Sequence, residues 1–248
     1  ATELLERFTP LAEYLGRELG RAVIVRVGRD YQDHIDRVGR DDADIAYMGP
    51  APYVKMVKAY GKKRILARLE IAGSGTYRGV IVVREESPLK NLSELEGKRF
   101  AFGDPDSTMS HLVPRYMLWE AGVGVEKLAG HEHIHNHRNV ALGVLLGDFD
   151  AGAMREDVFL REYGERGLRV LAKTPPISKH VFVASNELPQ ETVRALKEAL
   201  YGMEGDGEGR AAMSAINEDM TALVPGRDED FENLRKMLRA LEALGVRP

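Results

Sequence analysis

The segment Gly103-Asp104-Pro105-Asp106-Ser107-Thr108-Met109-Ser110 concentrates the residues most able to do chemistry. It lies between an apolar stretch, Arg99 to Phe102, that reads as a strand, and a run through Leu112, Met117, Leu118 and Trp119 that reads as a helix. A chain that turns through Gly, Pro and small hydroxyl residues into a helix leaves backbone N–H groups without intrahelical acceptors. Those donors, the positive end of the helix dipole and neighbouring hydroxyls suit a small oxyanion. Ser, Thr and Asp are also the ordinary N-capping residues, so this segment taken alone fits either an anion site or a plain cap. A second cluster is His131, His133, His135 and His137. Strand periodicity puts four imidazoles on one face, but alternate strand positions form a row, not the closed shell of structural zinc, so no metal site is expected. No nucleophile–base–acid set and no Gly-rich nucleotide loop is evident. An enzyme and a cofactor are therefore not expected.

The elements that must position these residues alternate. A helix carries Leu4, Leu5, Phe8, Leu11, Ala12, Leu15 and Leu19 at helical spacing and ends near Gly20. A strand is predicted over 21–27, a helix over 31–39, a strand over 44–47, a helix from Ala51 and a strand over 65–71. Strands are predicted at 80–83, 99–102, 131–135, 149–154, 168–172 and 181–184. Helices are predicted near 108–121, 139–146, 156–163, 190–202, 209–222 and 228–244. This alternation implies α/β architecture with open, mainly parallel sheets. Gly- and Pro-rich stretches near 73–79 and 174–181 read as crossings between two lobes, the first discontinuous (1–75 plus 180–248) and the second continuous (78–176). Ligands of open α/β sheets sit outside the carboxyl ends of strands. Tyr47, Ser107 and Asp157 lie at or just after such ends, so a ligand cleft between the lobes is expected.

Composition narrows the classes. The 248 residues are 44% hydrophobic and 30% charged, enough for a substantial core. A net charge of −4 gives no general attraction to nucleic acid or acidic membranes, so a small anion must be captured by local dipoles. The absence of cysteine excludes disulfides, cysteine-ligated clusters and thiol catalysis. No apolar run approaches the roughly 20 residues of a membrane helix. No signal peptide is present, so an exported protein would be represented here in mature or trimmed form.

Asp30-Tyr31 followed by Asp44-Ile45-Ala46-Tyr47-Met48-Gly49-Pro50-Ala51-Pro52-Tyr53 resembles the phosphate/phosphite/phosphonate-binding proteins of ABC transporters. Tyr77-Arg78-Gly79-Val80-Ile81-Val82-Val83, the block Leu92 to Phe102, Ser107-Thr108-Met109-Ser110-His111-Leu112-Val113-Pro114, and His137 through Ala153 are similar to that family's later blocks, in matching order. The resemblance implies the type II periplasmic-binding-protein fold, two α/β lobes closing on a ligand. It implies phenolic contacts from Tyr47 and Tyr77, oxyanion contacts from Ser107 and Thr108, a further contact from His137, and a carboxylate at Asp157 suited to accept from a protonated ligand oxygen. Met109 and Ser110 depart from the family's Ser-Thr-Ser-Gly loop, so that either a hydroxyl contact is lost or Ser110 takes it over. Ser178-Lys179-His180 stands where aminoalkylphosphonate binders can carry an aspartate, which disfavours an amine-bearing ligand. The family's first strand, before the first helix, is not in this sequence.

These features imply an exported, periplasmic solute-binding protein that captures a phosphonate, phosphite or phosphate and hands it to an ABC permease. A monomer is the default for such a shuttle, with no nucleic-acid partner. The alternative is a sensory module of the same fold that reports phosphorus oxyanion or arsenite to a sensor kinase.

Overall fold

The computed structural model describes residues 2–245 and divides into two compact units, the first residues 2–76 with Ser178–Glu232 and the second Tyr77–Ile177 with residues 233–245. The last helix therefore groups with the second unit, whereas the sequence reading keeps it in lobe one.

In the first unit, helix α1 (Thr2–Leu19) buries Leu11, Ala12, Tyr14 and Leu15 on one face. Helix α2 (Tyr31–Gly39) is capped by Asp30, whose side chain accepts from the Asp33 N–H. Strand β1 (Ile45–Met48) leads through Gly49 into α3 (Pro50–Tyr60), where Pro50 occupies a first-turn position whose missing N–H costs nothing. Strand β2 (Arg64–Ile71) completes the first pass. The chain returns through β10 (Val181–Ala184), α7 (Gln190–Gly202), α8 (Gly207–Ile216) and β11 (Met220–Val224). The sheet order is β1-β10-β2-β11, and every one of these pairings is antiparallel. Leu66, Leu69, Phe182, Leu196, Leu200 and Met213 form its core with the inner faces of α1, α7 and α8.

The second unit holds β4 (Gly79–Arg84), β5 (Arg99–Phe102), helix α4 (Val113–Glu120), β6 (Gly130–His133), α5 (His137–Leu145), β7 (Ala151–Arg155), α6 (Glu156–Glu162), β8 (Leu168–Lys173) and most of α9 (Glu232–Ala243). Its sheet order is β6-β5-β7-β4-β8. Strands β5, β6 and β7 run parallel to one another, while β4 is antiparallel to both β7 and β8. Val80 to Val83 of β4 are fully buried, the pattern of a strand covered on both faces. The two crossings contain the short strands β3 (Thr76–Tyr77) and β9 (Ile177–Ser178), which pair with each other.

Four expectations are corrected. The first sheet is antiparallel throughout and the second is mixed, because β10 and β4, which follow the crossings, run against the strands they pair with. Residues 22–28 alternate in burial, with Val23, Val25 and Val27 half-buried and Ile24 75% exposed, yet join no ladder among the described residues. The predicted helix over 209–222 stops at Ile216, and Met220–Val224 is a strand. Asn217 ends the helix in an extended conformation, and the Asp219 N–H bonds the Asn217 side chain in a tight turn. Finally, β6 ends at His133 and His135 has a φ of 72°, so the four histidines do not share a strand face.

At Gly79, β4 lies directly against the turn at 108–112. A Cβ there would stand 2.8 Å from the Met109 carbonyl oxygen and 3.2 Å from that of Met154, both backbone atoms. Gly79→Ala is expected to destabilise the protein by about 1–3 kcal/mol through overpacking. Urea unfolding would measure this as a lower midpoint at unchanged slope.

Candidate functional site

Strands β5, β6 and β7 present their carboxyl ends, and β4 its amino end, at one edge of the second unit's sheet; the register sets Gly79 opposite Arg155. The segments leaving that edge carry six of the seven residues singled out in the sequence: Tyr77, Ser107, Thr108, Ser110, His137 and Asp157.

After β5 the chain enters a π turn, Thr108–Leu112, that runs directly into α4. Its first i→i+5 bond goes from the Leu112 N–H to the Ser107 carbonyl at 3.0 Å. Ser107 is the N-cap, its Oγ accepting from the Ser110 N–H at 3.2 Å. Capping does not exhaust the hydroxyl, which retains its proton as a donor. Thr108 is buried at 5% exposure and Ser110 at 1%. The Ser110 Oγ packs against Gly103, where a Cβ would stand only 2.1 Å away. His111 braces the turn from behind, with its Nδ1 2.6 Å from the Pro105 carbonyl oxygen. An Nδ1–H donor here leaves Nε2 to accept from Arg115 at 3.4 Å.

After β6, Asn136 caps α5 by accepting from the Asn139 N–H at 2.8 Å, and His137 is the first residue of the helix. Its Nδ1 is buried and has no hydrogen-bond partner among the described residues. Burial pushes the ring down to about 4, with the Arg155 guanidinium acting in the same direction and Asp157 opposing. The imidazole is therefore neutral near pH 7 and can offer a neutral donor or acceptor. His133 packs behind the hydroxyl turn, stacked on Phe102 at 5.5 Å and edge-on to His111 at 4.5 Å. Burial lowers the His131 and His133 rings, and among the described residues no group of three or more His, Asp or Glu is arranged to hold a metal.

After β7, Arg155 and Asp157 form a two-pronged ion pair, Nε to Oδ1 at 2.9 Å and Nη2 to Oδ2. Arg161 stands 3.7 Å from the same carboxylate. Burial works to raise the Asp157 carboxyl, but the charge and hydrogen bonds of Arg155, a backbone N–H and Arg161 hold it below the usual carboxylate range. The Arg155 guanidinium carbon lies 6.0 Å from the centre of the Tyr77 ring. Arg155 thus connects Tyr77, Asp157 and the field around His137, and it is the residue the sequence reading missed. The signal was available in an Arg two residues before an Asp at a strand end, but its placement over Tyr77 depends on the β4–β7 register.

The seventh residue, Tyr47, belongs to the first unit. Its ring stacks on His180 at 5.0 Å and 16°, and meets Phe8 and Phe182 at 4.9 and 5.2 Å. His180 precedes β10 in the segment that the sequence reading singled out only as a departure. Its ring also closes over Gly49, where a Cβ would lie 3.3 Å from Nε2.

Two α/β units, each built on its own sheet and joined by two crossings, are the architecture of a solute-binding protein of the type II fold. The chain belongs to the family of ABC transporter phosphonate periplasmic substrate-binding proteins, whose model matches residues 1–231. It is 25% identical over 259 residues to the phosphate-import protein PhnD of Mycolicibacterium smegmatis, covering 95% of this chain and 80% of that one. The structure of PhnD1 from Prochlorococcus marinus in complex with methylphosphonate superposes with a TM-score of 0.83 at 21% identity, covering 97% of this chain and 94% of that one. XAC2383 from Xanthomonas citri bound to ATP gives the same TM-score at 20% identity, with 96% and 94% covered. No helix among the described residues is long and apolar enough to cross a membrane.

The depressed His137 makes stability depend on pH. The folded ring resists protonation down to about 4, whereas the unfolded ring takes a proton near the ordinary histidine value of 6.5. Its contribution is fully present above about pH 6.5 and is lost as pH falls toward about 4, reaching on the order of 3 kcal/mol. His137→Gln is expected to flatten the pH dependence of the unfolding free energy in that window and to leave the slope above it unchanged. Urea titrations at several pH values would show a curve parallel to wild type if this assignment were wrong.

Proposed function

We propose that this protein is the extracytoplasmic solute-binding component of an ABC transporter, that its cargo is a small phosphorus oxyanion, and that it delivers this cargo to a membrane permease. The observation that carries the reading is the convergence at one sheet edge of a capped hydroxyl turn, Ser107 to Ser110, with the neutral His137 and its unpartnered buried Nδ1. A buried polar atom without a partner is uncommon in a folded protein, and a ligand oxygen is the kind of group that satisfies it. Ser107, Thr108, Ser110, His137, Tyr77 and Asp157 are the proposed residues of the second unit's half of the recognition chemistry. Tyr47 is the proposed contribution of the first unit. Differential contacts to ligand would shift the population toward a closed state. The relatives' names, phosphate-import protein and phosphonate-binding protein, agree with this ligand class.

Isothermal titration calorimetry against phosphate, phosphite, methylphosphonate, 2-aminoethylphosphonate, ATP, sulfate and arsenite tests the reading. One phosphorus compound is expected to bind with submicromolar affinity. Ser107→Ala/Thr108→Ala is expected to weaken it about 100-fold or more, the scale of two lost hydrogen bonds to a charged group. Binding of arsenite alone would move the assignment to the sensory alternative, and silence across the panel from a folded sample would overturn the phosphorus assignment.

A further inference from the structure

We propose that Arg155 is a specificity-determining residue that touches the bound oxyanion and selects its doubly charged form, with Asp157 as its positioning residue. This inference rests on the phosphorus-oxyanion reading above and deepens it, because a guanidinium adds a full positive charge to neutral donors and to a helix end that carries only a partial one.

Three features place Arg155 in the recognition chemistry. It is the last residue of β7, opposite Gly79, at the edge where the hydroxyl turn, Tyr77 and His137 meet. Its guanidinium stands over the Tyr77 ring and its side chain is 30% exposed, so it is neither sealed in the core nor fully solvated. The two-pronged bridge from Asp157 holds one edge of the planar group and fixes its plane, the geometry in which arginine recognises phosphorus and carboxylate oxygens.

Charged groups of both signs surround it: Asp104 and Asp106 of the turn before Ser107 are negative, and the arginines nearest Asp157 are positive. Arg155 and Arg161 both approach the single carboxylate of Asp157. Beside them Lys173 of β8 and Glu156 of α6 pair at 2.6 Å and cancel. Arg78, between β3 and β4, donates to the Thr174 carbonyl at 2.6 Å and adds a further positive charge. His137 of α5 is neutral through the neutral range and contributes no titration there. Tyr77 supplies the aromatic face. Asp157 therefore works as an anchor for guanidinium groups, and a protonated ligand oxygen would find its carboxylate already engaged. A ligand oxygen without a proton, carrying the second charge, meets cations instead.

The test compares methylphosphonate with methanesulfonate, which has the same shape and a fixed single charge. The second proton of a phosphonate or phosphate leaves between about pH 6 and pH 8, so the methylphosphonate dianion can be titrated in while the sulfonate is unchanged. Calorimetry on the full chain should show methylphosphonate binding tightening with pH across that range, with methanesulfonate weaker and flat. Arg155→Gln should weaken methylphosphonate at about pH 8 by about tenfold to 100-fold, the scale of a charge-assisted hydrogen bond, and remove most of its pH dependence. Arg155→Lys, which keeps the charge and loses the fork, should keep the pH dependence at lower affinity; its loss in that variant would overturn the charge argument. Wild-type affinity and pH slope in Arg155→Gln, with binding still abolished by Ser107→Ala/Thr108→Ala, would overturn the role of Arg155 and leave the receptor reading standing. Failure of the wild-type protein to bind any phosphorus oxyanion would overturn both.

Discussion

The pairing of β4 between β7 and β8 is the constraint on which the second unit depends. Val80 to Val83 are fully buried, so neither face of β4 can be given to solvent without exposing core. Strand side chains alternate with a period of two, and a slip of one residue would invert every position of β4 relative to its neighbours. The register is therefore held by the burial of a few valines and an isoleucine, far from any ligand chemistry. Because β4 runs against β7, and β5 and β6 run with it, one register sends four chain ends to a single edge. Each of those ends then needs to supply only a short local device. A π turn with its cap follows β5, a capped helix start follows β6, an arginine and an aspartate close β7, and a tyrosine precedes β4.

Those devices lie in an environment that penalises charge unevenly. Burial alone lowers His137 and would raise Asp157, so both groups are pushed toward neutrality. His137 yields and stays neutral. Asp157 does not, because a guanidinium engages both of its oxygens and a second one stands nearby. Removing one member of such a pair leaves the other's charge uncompensated in a partly buried place, which costs more than the pair itself contributes. The same reasoning explains why Arg155 is oriented by contacts only two residues away in sequence: the fork is assembled by the strand end that carries it.

Much of this was legible in the sequence where a local rule decides the outcome. Asp30, Ser107 and Asn136 each cap a helical turn through the side-chain oxygen that their residue types lead one to expect. Pro50 opens α3 for an equally local reason. The failures share a different cause. Met213, Ile216, Met220 and Leu223 continue at helical spacing across the end of α8, so periodicity extends the helix through a turn that only Asn217 and Asp219 betray. The histidine row reads as one strand face because periodicity has no means of registering the left-handed backbone at His135. Strand direction is not legible in the same way, because it is set by which way a crossing re-enters the sheet, a property of the whole path. Residues 22–28 keep the alternating burial of a strand without a ladder, since side-chain pattern reports a half-buried surface and not the presence of a neighbour. Within the candidate site, the capped hydroxyl turn was readable from its own segment, whereas His137 was named only through the family resemblance. The partnership of Arg155 with Tyr77 was not, because it joins strand ends 78 residues apart in sequence through a register that no local pattern encodes.

The overall charge of −4 and the arrangement at Arg155 act at different ranges. At physiological ionic strength charges are screened over about 8 Å, so the remote carboxylates that make the chain acidic exert little force on an anion at the sheet edge. Neutral donors such as a capped serine, a neutral imidazole and a phenol discriminate by where ligand oxygens sit. A guanidinium adds a response to how many charges those oxygens carry. A carboxylate left alone at the same place would have the opposite preference, for a ligand that still holds a proton to donate. On the proposal that Arg155 touches the ligand, the direction of selectivity is decided by the partner Asp157 takes, which in this structure is Arg155.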